Sequence, residues 1–373
     1  MHSHTSQDST TTVLAALNIK PAPNIPALTE QQLEEKLLAD VIAHAKKNFV
    51  GGYRIGRALL AKIDKDEILK NKMRPETLLF SNFPQFKDEY FPTYDANRIA
   101  GTSFIASAGP SCSTVTNFMK STVANESLDI KEIVALGACL ATGTSEHSCF
   151  YDYCSGVETT AAYSGKNYDI NVAAKRLSGS IISNPDDSQR LPSAFIESEL
   201  TLTLRNAGKQ TVTKKINTTI YQLQDGWPIY FTDIYDGFDC NQSIEQRKEV
   251  IWKIFQKSLT GLVLIHCTAG VGRTGHLILT LEILKYYNEI FASKNPETIA
   301  ADIHKILDRI RENRPSLVAS ESQFIGAIHN ANTLYHYALE KNYIKAGLPV
   351  FQVACVKKEE ENISRENVQR LTF

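Results

Sequence analysis

Apolar residues near the start of the chain recur at the three- and four-residue spacing of an amphipathic helix. Thr29 followed by Gln32 forms a capping-box pattern, which predicts that a helix begins there. Gly51-Gly52 interrupts the pattern, and a second helix is predicted from Tyr53 to about Leu69. The two helices would form an appendage packed on the domain that follows. The apolar face of the first helix comprises Leu33, Leu37, Leu38, Val41, Ile42 and Ala45.

The pattern changes to short β-rich runs between about residues 78 and 210, separated by Gly, Asn, Asp and Ser. Helical patterns dominate from Ser243 to Asn342, and one strongly apolar strand interrupts them. Mixed strands followed by a buried strand between helices predict an α/β (α+β) fold around a central sheet. The clearest predicted strands are Ser103–Ala106, Ile133–Leu136, Leu200–Leu204 and Leu262–His266.

The same patterns divide the chain into four segments. Residues 1–28 are polar and then rich in proline, so we expect a disordered terminus. Residues 29–72 would hold the helical appendage, and residues 73–345 the main α/β domain. Residues 346–373 are strongly charged, which predicts a solvated C-terminal tail.

Composition excludes several classes of protein. The chain has 373 residues with 40 Lys and Arg against 41 Asp and Glu, a net charge of −1, which argues against a nucleic-acid binder. The apolar runs fall short of the ~18 residues that span a bilayer, so no transmembrane segment is expected. Seven cysteines, an odd and small number without a secretory leader, predict free thiols in a reducing, cytoplasmic compartment.

The stretch that carries chemistry is GLVLIHCTAGVGRTG, residues 261–275. A buried strand ends at His266, a glycine-bearing loop follows, and an amphipathic helix is predicted to begin near Arg273. Such a junction directs backbone N–H groups and the positive end of a helix dipole at one centre, which favours a bound phosphate. The same centre would lower the pKa of Cys267 below the free value of ~8.5. Arg273 can hold two phosphoryl oxygens with its planar guanidinium.

This loop resembles the signature loop of the cysteine-dependent protein tyrosine phosphatases. Other segments are similar to that family in the same order along the chain, over roughly residues 78–342. The resemblance implies a central mixed, twisted sheet flanked by helices, to which the N-terminal helical appendage is added. The similar segments are Tyr94–Ile99, Phe104–Pro110, Thr114–Met119 and the stretch from Arg311 to Phe324 that includes Arg314, Val318, Ser320 and Gln323.

The resemblance also implies a role for each residue of the site. Cys267 would be the nucleophile that forms a phosphocysteine, and Arg273 would bind the phosphoryl group. Thr274 would hydrogen-bond the cysteine sulfur, His266 would orient the loop and favour the thiolate, and Gln323 would position the hydrolytic water. The substrate-binding loop would comprise Thr268, Ala269, Gly270, Val271, Gly272 and Arg273.

A general acid must protonate the leaving group, and the family takes it from a Trp-Pro-Asp loop. Here Trp227-Pro228 is followed by Ile229, which has no proton to donate. In one interpretation the acid is lost. In the other, the acid is Asp233, 34 residues before Cys267, or in second place Asp236, 31 residues before it.

The resemblance implies that the substrate is phosphotyrosine in proteins, held in a deep cleft with an aromatic wall. The family's Asn-Arg-Tyr wall motif is absent, and Phe86 or Tyr90 would take its place, although either fits an ordinary core position. Residues 268–272 include no lysine or arginine, which disfavours the alternative enzyme, a phosphoinositide or inositol phosphate phosphatase. A further alternative is a weakened, phosphoprotein-binding pseudophosphatase, because Ile229 and Ala319 stand where the family has an aspartic acid and a glutamine.

Neither a metal nor another cofactor is expected. His147, Cys149, Asp152 and Cys154 lie close together, but zinc sites usually have two paired knuckles and this segment has one loose pair. The expected partner is a phosphotyrosine protein rather than nucleic acid. The acidic run Glu359–Glu361 fits a solvated end, and such tails also occur on some bacterial effectors secreted into a host cytoplasm.

Overall fold

A computed structural model describes residues 28–60, 88–91, 94–111, 113–123, 125, 127–140, 149–151, 153, 158–165, 168–182, 193–206, 211–222, 244–346 and 350. The strands in these residues are β1 (Ala96–Arg98), β2 (Phe104–Ala108), β3 (Ile130–Leu136), β4 (Ala138–Leu140), β5 (Cys149–Tyr151), β6 (Glu158–Gly165), β7 (Tyr168–Ile182), β8 (Ser193–Asn206), β9 (Val212–Gln222) and β10 (Leu262–Cys267). The helices are α1 (Glu30–Lys47), α2 (Gly52–Leu60), α3 (Val115–Phe118, continued by a π-helical turn at Met119–Val123), α4 (Ile244–Ser258), α5 (Gly272–Lys285), α6 (Tyr287–Phe291), α7 (Pro296–Arg311) and α8 (Glu321–Glu340).

Eight of these strands form one mixed sheet in the order β1-β2-β10-β3-β9-β8-β7-β6. The central strands β2, β10, β3 and β9 run parallel, and the strands on either side of them pair antiparallel. β4 and β5 pair with each other in a separate small sheet. The expected α/β fold with a central mixed sheet is confirmed. Each of the four predicted strands lies within or overlaps an observed one.

Strand β10 is buried on both faces, as its unbroken apolar sequence predicts. Val263 and Ile265 belong to the larger core, which the sheet shares with α1, α4, α5, α7 and α8. Leu264 points to the other face and joins a second core that includes α3. Cys267 ends this central strand on the side of the larger core, so it lies at the carboxyl edge of the parallel strands.

The first N-terminal helix forms as predicted. Thr29 Oγ1 accepts a hydrogen bond from the Gln32 amide at 3.2 Å, and Gln32 Oε1 accepts one from the Thr29 amide at 2.9 Å, which confirms the capping box. α1 packs against α7, and Val41 and Ala45 have no exposed surface. Leu33 was expected on the apolar face but is 54% exposed, so the helix becomes buried only beyond its first turn.

The second helix, α2, begins at Gly52, one residue before its predicted start. Its predicted end near Leu69 lies outside the described residues, and the division of the chain at residues 28, 72 and 345 stays a prediction. Within the described ranges, no helix combines the length and the apolar character needed to cross a membrane.

Candidate active site

The cysteine loop, residues 267–273, joins the end of β10 to the start of α5. β10 lies between β2 and β3, so its carboxyl end opens near the middle of the parallel strands. α5 begins at Gly272, next to the predicted Arg273, and among the described residues no side chain caps this helix end. The first amides of a helix have no acceptor within the helix, so they are available to a group bound at this end. The junction has the strand–loop–helix form that favours a bound anion.

Gly270 lets the loop pass against the end of β2. Its φ is +66°, a conformation that favours glycine, and a Cβ there would lie 2.1 Å from the Ser107 carbonyl oxygen. The Gly109 amide donates to the Thr268 carbonyl oxygen at 3.0 Å. These two backbone contacts fix the loop on the strand beside it.

Arg314 holds the cysteine loop from behind. Its side chain has no exposed surface and donates to the carbonyl oxygens of Gly270 at 2.7 Å and Ala269 at 3.0 Å. The C=O and N–H of a trans peptide unit point in opposite directions. Because Arg314 turns these carbonyls outward, the amides that follow them face the interior of the loop. The sequence showed Arg314 only as part of a stretch similar to the family, without a role.

Asp95 and Asn97 in turn hold Arg314. The Oδ1 atom of each accepts a hydrogen bond from the guanidinium at 2.8 Å. Burial raises the pKa of the Asp95 carboxyl, and the Arg314 charge opposes that rise. A buried ion pair that loses one partner leaves an uncompensated charge. The three side chains therefore form one support for the loop.

Cys267 is a free thiol and is 3% exposed. Burial raises the pKa of this thiol, whereas the Arg273 charge and hydrogen bonds from Thr274 and from the Val271 amide lower it. Together the lowering effects are larger, so the pKa lies below that of an ordinary cysteine. The Thr274 hydroxyl is buried, and within the described residues it has no hydrogen-bond partner other than this sulfur. The surroundings thus favour the thiolate.

Two side-chain donors next to the loop have no acceptor among the described residues. Arg273 Nη2 donates to Thr268 Oγ1 at 3.1 Å, whereas its Nη1 is buried without an acceptor in the described part of the chain. Gln323 Oε1 accepts from the Ala319 amide at 2.9 Å, but Gln323 Nε2 is also buried without an acceptor there. Nε2 lies against the loop, because a Cβ on Gly272 would be 2.8 Å from it. Unpaired buried donors are costly, and an oxyanion in the loop would satisfy them.

His266 lies beside the cysteine as a neutral side chain. Its Nδ1 donates to the Cys267 carbonyl oxygen at 3.3 Å, so its Nε2 accepts from the Tyr153 hydroxyl at 2.6 Å. Burial lowers the pKa of His266 to about 3, although the bond to the Cys267 carbonyl opposes this. A neutral ring adds no positive charge beside the sulfur, and the predicted role of His266, to orient the loop and favour the thiolate, stays a prediction. No sequence pattern had pointed to Tyr153.

His276, on α5, supports the main chain at Gln323. Its Nδ1 lies 2.7 Å from the Gln323 carbonyl oxygen, and its Nε2 lies 2.9 Å from Asn330 Nδ2. The Asn330 NH₂ group can only donate, so Nε2 accepts and the proton on Nδ1 bonds the carbonyl. Sequence reasoning missed both residues, and their signal was a polar side chain at a buried helix position.

Several predicted residues lie outside the described part of the chain. They include both candidate general acids, Asp233 and Asp236, with the Trp-Pro-Ile segment before them. They also include His147, Asp152 and Cys154 from the loose group considered for metal. Among the residues that are described, no three His, Cys, Asp or Glu side chains form a group that could hold a metal ion.

Of the two aromatic residues expected to line the cleft, Phe86 lies outside the described residues. Tyr90 is half-buried, and the Arg98 guanidinium carbon lies 3.6 Å from the centroid of its ring. A cation therefore occupies one face of Tyr90. A role for Tyr90 as the wall of a cleft stays a prediction.

Comparison with known proteins agrees with this arrangement. The family model described as protein-tyrosine phosphatase matches residues 81–333, more than half of the chain. Tyrosine-protein phosphatase 1 of Schizosaccharomyces pombe is 29% identical over 90 residues. That match covers 23% of this chain and 16% of the relative, so the chain spans a small part of the relative's length. On the strength of the family match, this chain belongs to the protein-tyrosine phosphatase family.

Proposed function

We propose that this chain is a protein tyrosine phosphatase that hydrolyses phosphotyrosine through a phosphocysteine on Cys267. The observation that carries the proposal is the meeting of a thiol of lowered pKa with two donors at the start of α5. Among the described residues, Arg273 Nη1 and Gln323 Nε2 have no acceptor, and no side chain caps this helix end. The thiolate supplies the nucleophile. The guanidinium and the loop amides supply fixed positive charge where negative charge develops.

In the first step, the Cys267 sulfur attacks phosphorus, an S–P bond forms, and the P–O bond to the tyrosine breaks. The departing phenolate oxygen takes a proton from the general acid, for which we propose Asp233, with Asp236 as the alternative. Arg273 and the amides of residues 268–273 bind the non-bridging oxygens as charge spreads over them.

In the second step, water attacks phosphorus, the S–P bond breaks, and inorganic phosphate leaves. Gln323 Nε2 holds the water, and the Thr274 hydroxyl donates to the sulfur that departs as a thiolate. The aspartate that lost its proton in the first step takes one from the water. The enzyme then returns to its starting state.

Phosphotyrosine proteins are the proposed substrates, because residues 268–272 carry no cation to meet the additional phosphates of an inositol ring. A reducing compartment suits this chemistry, since an oxidised thiolate no longer attacks phosphorus. We assign the reaction to residues 73–345 and treat residues 29–72 as an appendage.

Secretion into a host cytoplasm is a separate proposal, supported by the acidic run Glu359–Glu361. It predicts that deletion of residues 346–373 abolishes translocation in a cell-based assay. Unchanged translocation of the shortened chain would refute it.

Acid quenching during turnover of a radiolabelled phosphotyrosine peptide tests the enzymatic proposal. The wild type should retain label on the protein and release phosphate, and Cys267→Ser should do neither. Phosphoinositides in a parallel reaction test the alternative substrate. Faster phosphate release from them would make phosphoinositides the substrate in place of phosphotyrosine. No labelled protein and no phosphate from either substrate would refute the mechanism.

A pseudophosphatase is the second candidate because Ile229 and Ala319 stand where the family has an aspartic acid and a glutamine. Ala319 is 2% exposed and offers no side-chain donor where the family has a glutamine. A binding module would transfer at most one phosphoryl group per molecule in a burst assay with an aryl phosphate. Repeated turnover would exclude it.

A further inference from the structure

The N-terminal appendage is joined to the loop that precedes Gln323. We call this segment the α7–α8 loop, residues 312–320. The Gly52 amide donates to the Val318 carbonyl oxygen at 2.9 Å, and the Tyr53 amide donates to the Ala319 carbonyl oxygen at 3.3 Å. These are among the first amides of α2, which have no acceptor inside their own helix. Carbonyl oxygens of the α7–α8 loop therefore accept hydrogen bonds from the first amides of α2.

The approach is so close that it requires glycine. A Cβ on Gly52 would lie 1.9 Å from the Ser316 carbonyl oxygen, and one on Gly51 would lie 2.8 Å from the Ala319 carbonyl oxygen. Gly52 does not have a positive φ, so its backbone conformation is open to alanine. The requirement comes from contact with the loop rather than from the backbone angle.

Arg311, the last residue of α7, binds both segments of this contact, which we call the joint (residues 50–53 against residues 316–319). Its Nε donates to the Leu317 carbonyl oxygen at 2.8 Å and its Nη2 to the Val318 carbonyl oxygen at 3.0 Å. Its Nη1 reaches the Val50 carbonyl oxygen, in the appendage, at 2.9 Å. One guanidinium thus binds both sides of the joint.

The joint is connected by hydrogen bonds to the side-chain amide of Gln323. Tyr53 holds the Ala319 carbonyl, and the Ala319 amide holds Gln323 Oε1 at 2.9 Å, which directs Nε2 to the cysteine loop at Gly272. Val318, the residue before Ala319, has a φ of +60°, a strained conformation for a β-branched residue. Such strain persists where surrounding contacts hold it, and Gly52 supplies one of these contacts.

We propose that residues 50–53 of the appendage are a positioning element for hydrolysis of the phosphocysteine, acting through Ala319 and Gln323. The inference rests on the proposed function. It concerns the second step, because the bonds that run from Tyr53 through Ala319 end at Gln323, which holds the water. The cysteine loop is held mainly by Arg314 and Gly109, and the α7–α8 loop adds one bond to it, from the Val318 amide to the Val271 carbonyl oxygen at 3.3 Å.

Gly52→Ala tests this proposal, with Ala58→Gly as the matched control. Alanine is the better helix former, so a loss in Gly52→Ala comes from its contact with the α7–α8 loop. Ala58 is exposed on the same helix, and Ala58→Gly makes the opposite exchange away from the joint. The control should keep wild-type kinetics.

For Gly52→Ala on an aryl phosphate, kcat should fall by about tenfold or more, since a small displacement of a positioned group is costly. KM should fall with it, kcat/KM should stay constant, and more enzyme should be trapped as phosphocysteine by acid. These changes are expected because kcat/KM reports only on steps through the first phosphoryl transfer. Loss of folded protein would instead lower kcat and kcat/KM together with KM unchanged.

Arg311→Lys provides a second variant with the same expected signature. Lysine keeps the charge, but its donors lie on one nitrogen and do not reproduce the three guanidinium nitrogens that reach Leu317, Val318 and Val50. If Gly52→Ala does not fold, Arg311→Lys decides by that signature. A parallel fall in kcat and kcat/KM, or an unchanged trapped fraction, overturns the positioning role. Absence of phosphocysteine in the wild type overturns the proposed function itself, so the two failures are distinguishable.

Discussion

Two arginines on opposite sides of the cysteine loop are used in opposite ways. Behind the loop, Arg314 donates through Nε, Nη1 and Nη2, and all three atoms have acceptors. In front, Arg273 bonds Thr268 through Nη2, and its buried Nη1 has no acceptor in the described residues. A guanidinium whose donors are used fixes structure, whereas one with an unused buried donor is prepared for a ligand. We call the Arg314 side of the loop its back and the Arg273 side its front. The back is held by hydrogen bonds, and the front keeps a donor for an oxyanion.

Removal of the nucleophile should give the largest effect and the clearest separation of front from back. Cys267→Ser should lower phosphotyrosine turnover on the order of 10⁴-fold or more, as removal of a catalytic nucleophile does. Phosphopeptide binding and thermal stability should stay near wild type, because Arg273 and Arg314 are intact. Turnover, titration calorimetry and melting of the same preparation check this. Turnover near that of the wild type would remove the sulfur from the mechanism.

The proposed general acid, Asp233, belongs to a segment of the sequence that precedes the cysteine loop. Asp233→Ala should lower turnover of a substrate with a poor leaving group by about 10²–10⁴-fold and of one with a good leaving group far less. Rates with a series of aryl phosphates measure this difference. Asp236→Ala is the matched control, and a steeper leaving-group dependence in that variant would move the role to Asp236.

Lysine at each arginine position tests the comparison directly. Arg273→Lys should lower kcat/KM by about 10²–10³-fold with little change in stability, because a point charge does not reproduce a two-oxygen contact. Arg314→Lys should destabilise the fold by about 2–5 kcal/mol, since it breaks buried bonds to Asp95, Asn97 and the loop. Denaturant unfolding and kinetics separate the two outcomes. Equal loss of stability in both variants would contradict the division into front and back.

The front of the site could be predicted from the sequence because its parts are contiguous. Cys267, Arg273 and Thr274 lie within one strand–loop–helix, where local patterns give both the element and the direction of its amides. The back of the site could not be predicted in this way. Arg314 is 219 residues from Asp95, and such a contact exists only after the sheet and α7 are assembled.

The role of the Gly51-Gly52 pair shows the same limit in another region. In the sequence the pair indicates a break between two helices, which the structure confirms between α1 and α2. The second reason for glycine at position 52 is a carbonyl oxygen of Ser316, more than 200 residues away, and no local pattern contains it. The fold class, by contrast, follows from short-range alternation of strands and helices, and so it was predictable.

A smaller effect concerns the ionisation of the Cys267 thiol. Because the pKa of Cys267 is lowered, its alkylation by iodoacetate should have a midpoint below the ~8.5 of a free thiol and slow as the pH falls through the folded-state pKa. Arg273→Lys should keep most of the lowering, whereas Arg273→Leu should raise the midpoint, because the charge is lost. Vanadate should protect the wild type. An ordinary midpoint without protection would contradict an oxyanion site.

Tyr153→Phe should give the smallest effect, and it tests whether His266 belongs to the rigid back. The change removes the 2.6 Å bond to His266 Nε2 and leaves that buried nitrogen without its hydroxyl donor. Stability should fall by about 1–3 kcal/mol, the cost of removing one partner of a buried hydrogen bond. The activity of the folded fraction should change little, because a ring of pKa about 3 is neutral with or without the tyrosine. A large shift in the pH profile at unchanged stability would instead place His266 in the front, as a charged group that acts on the sulfur.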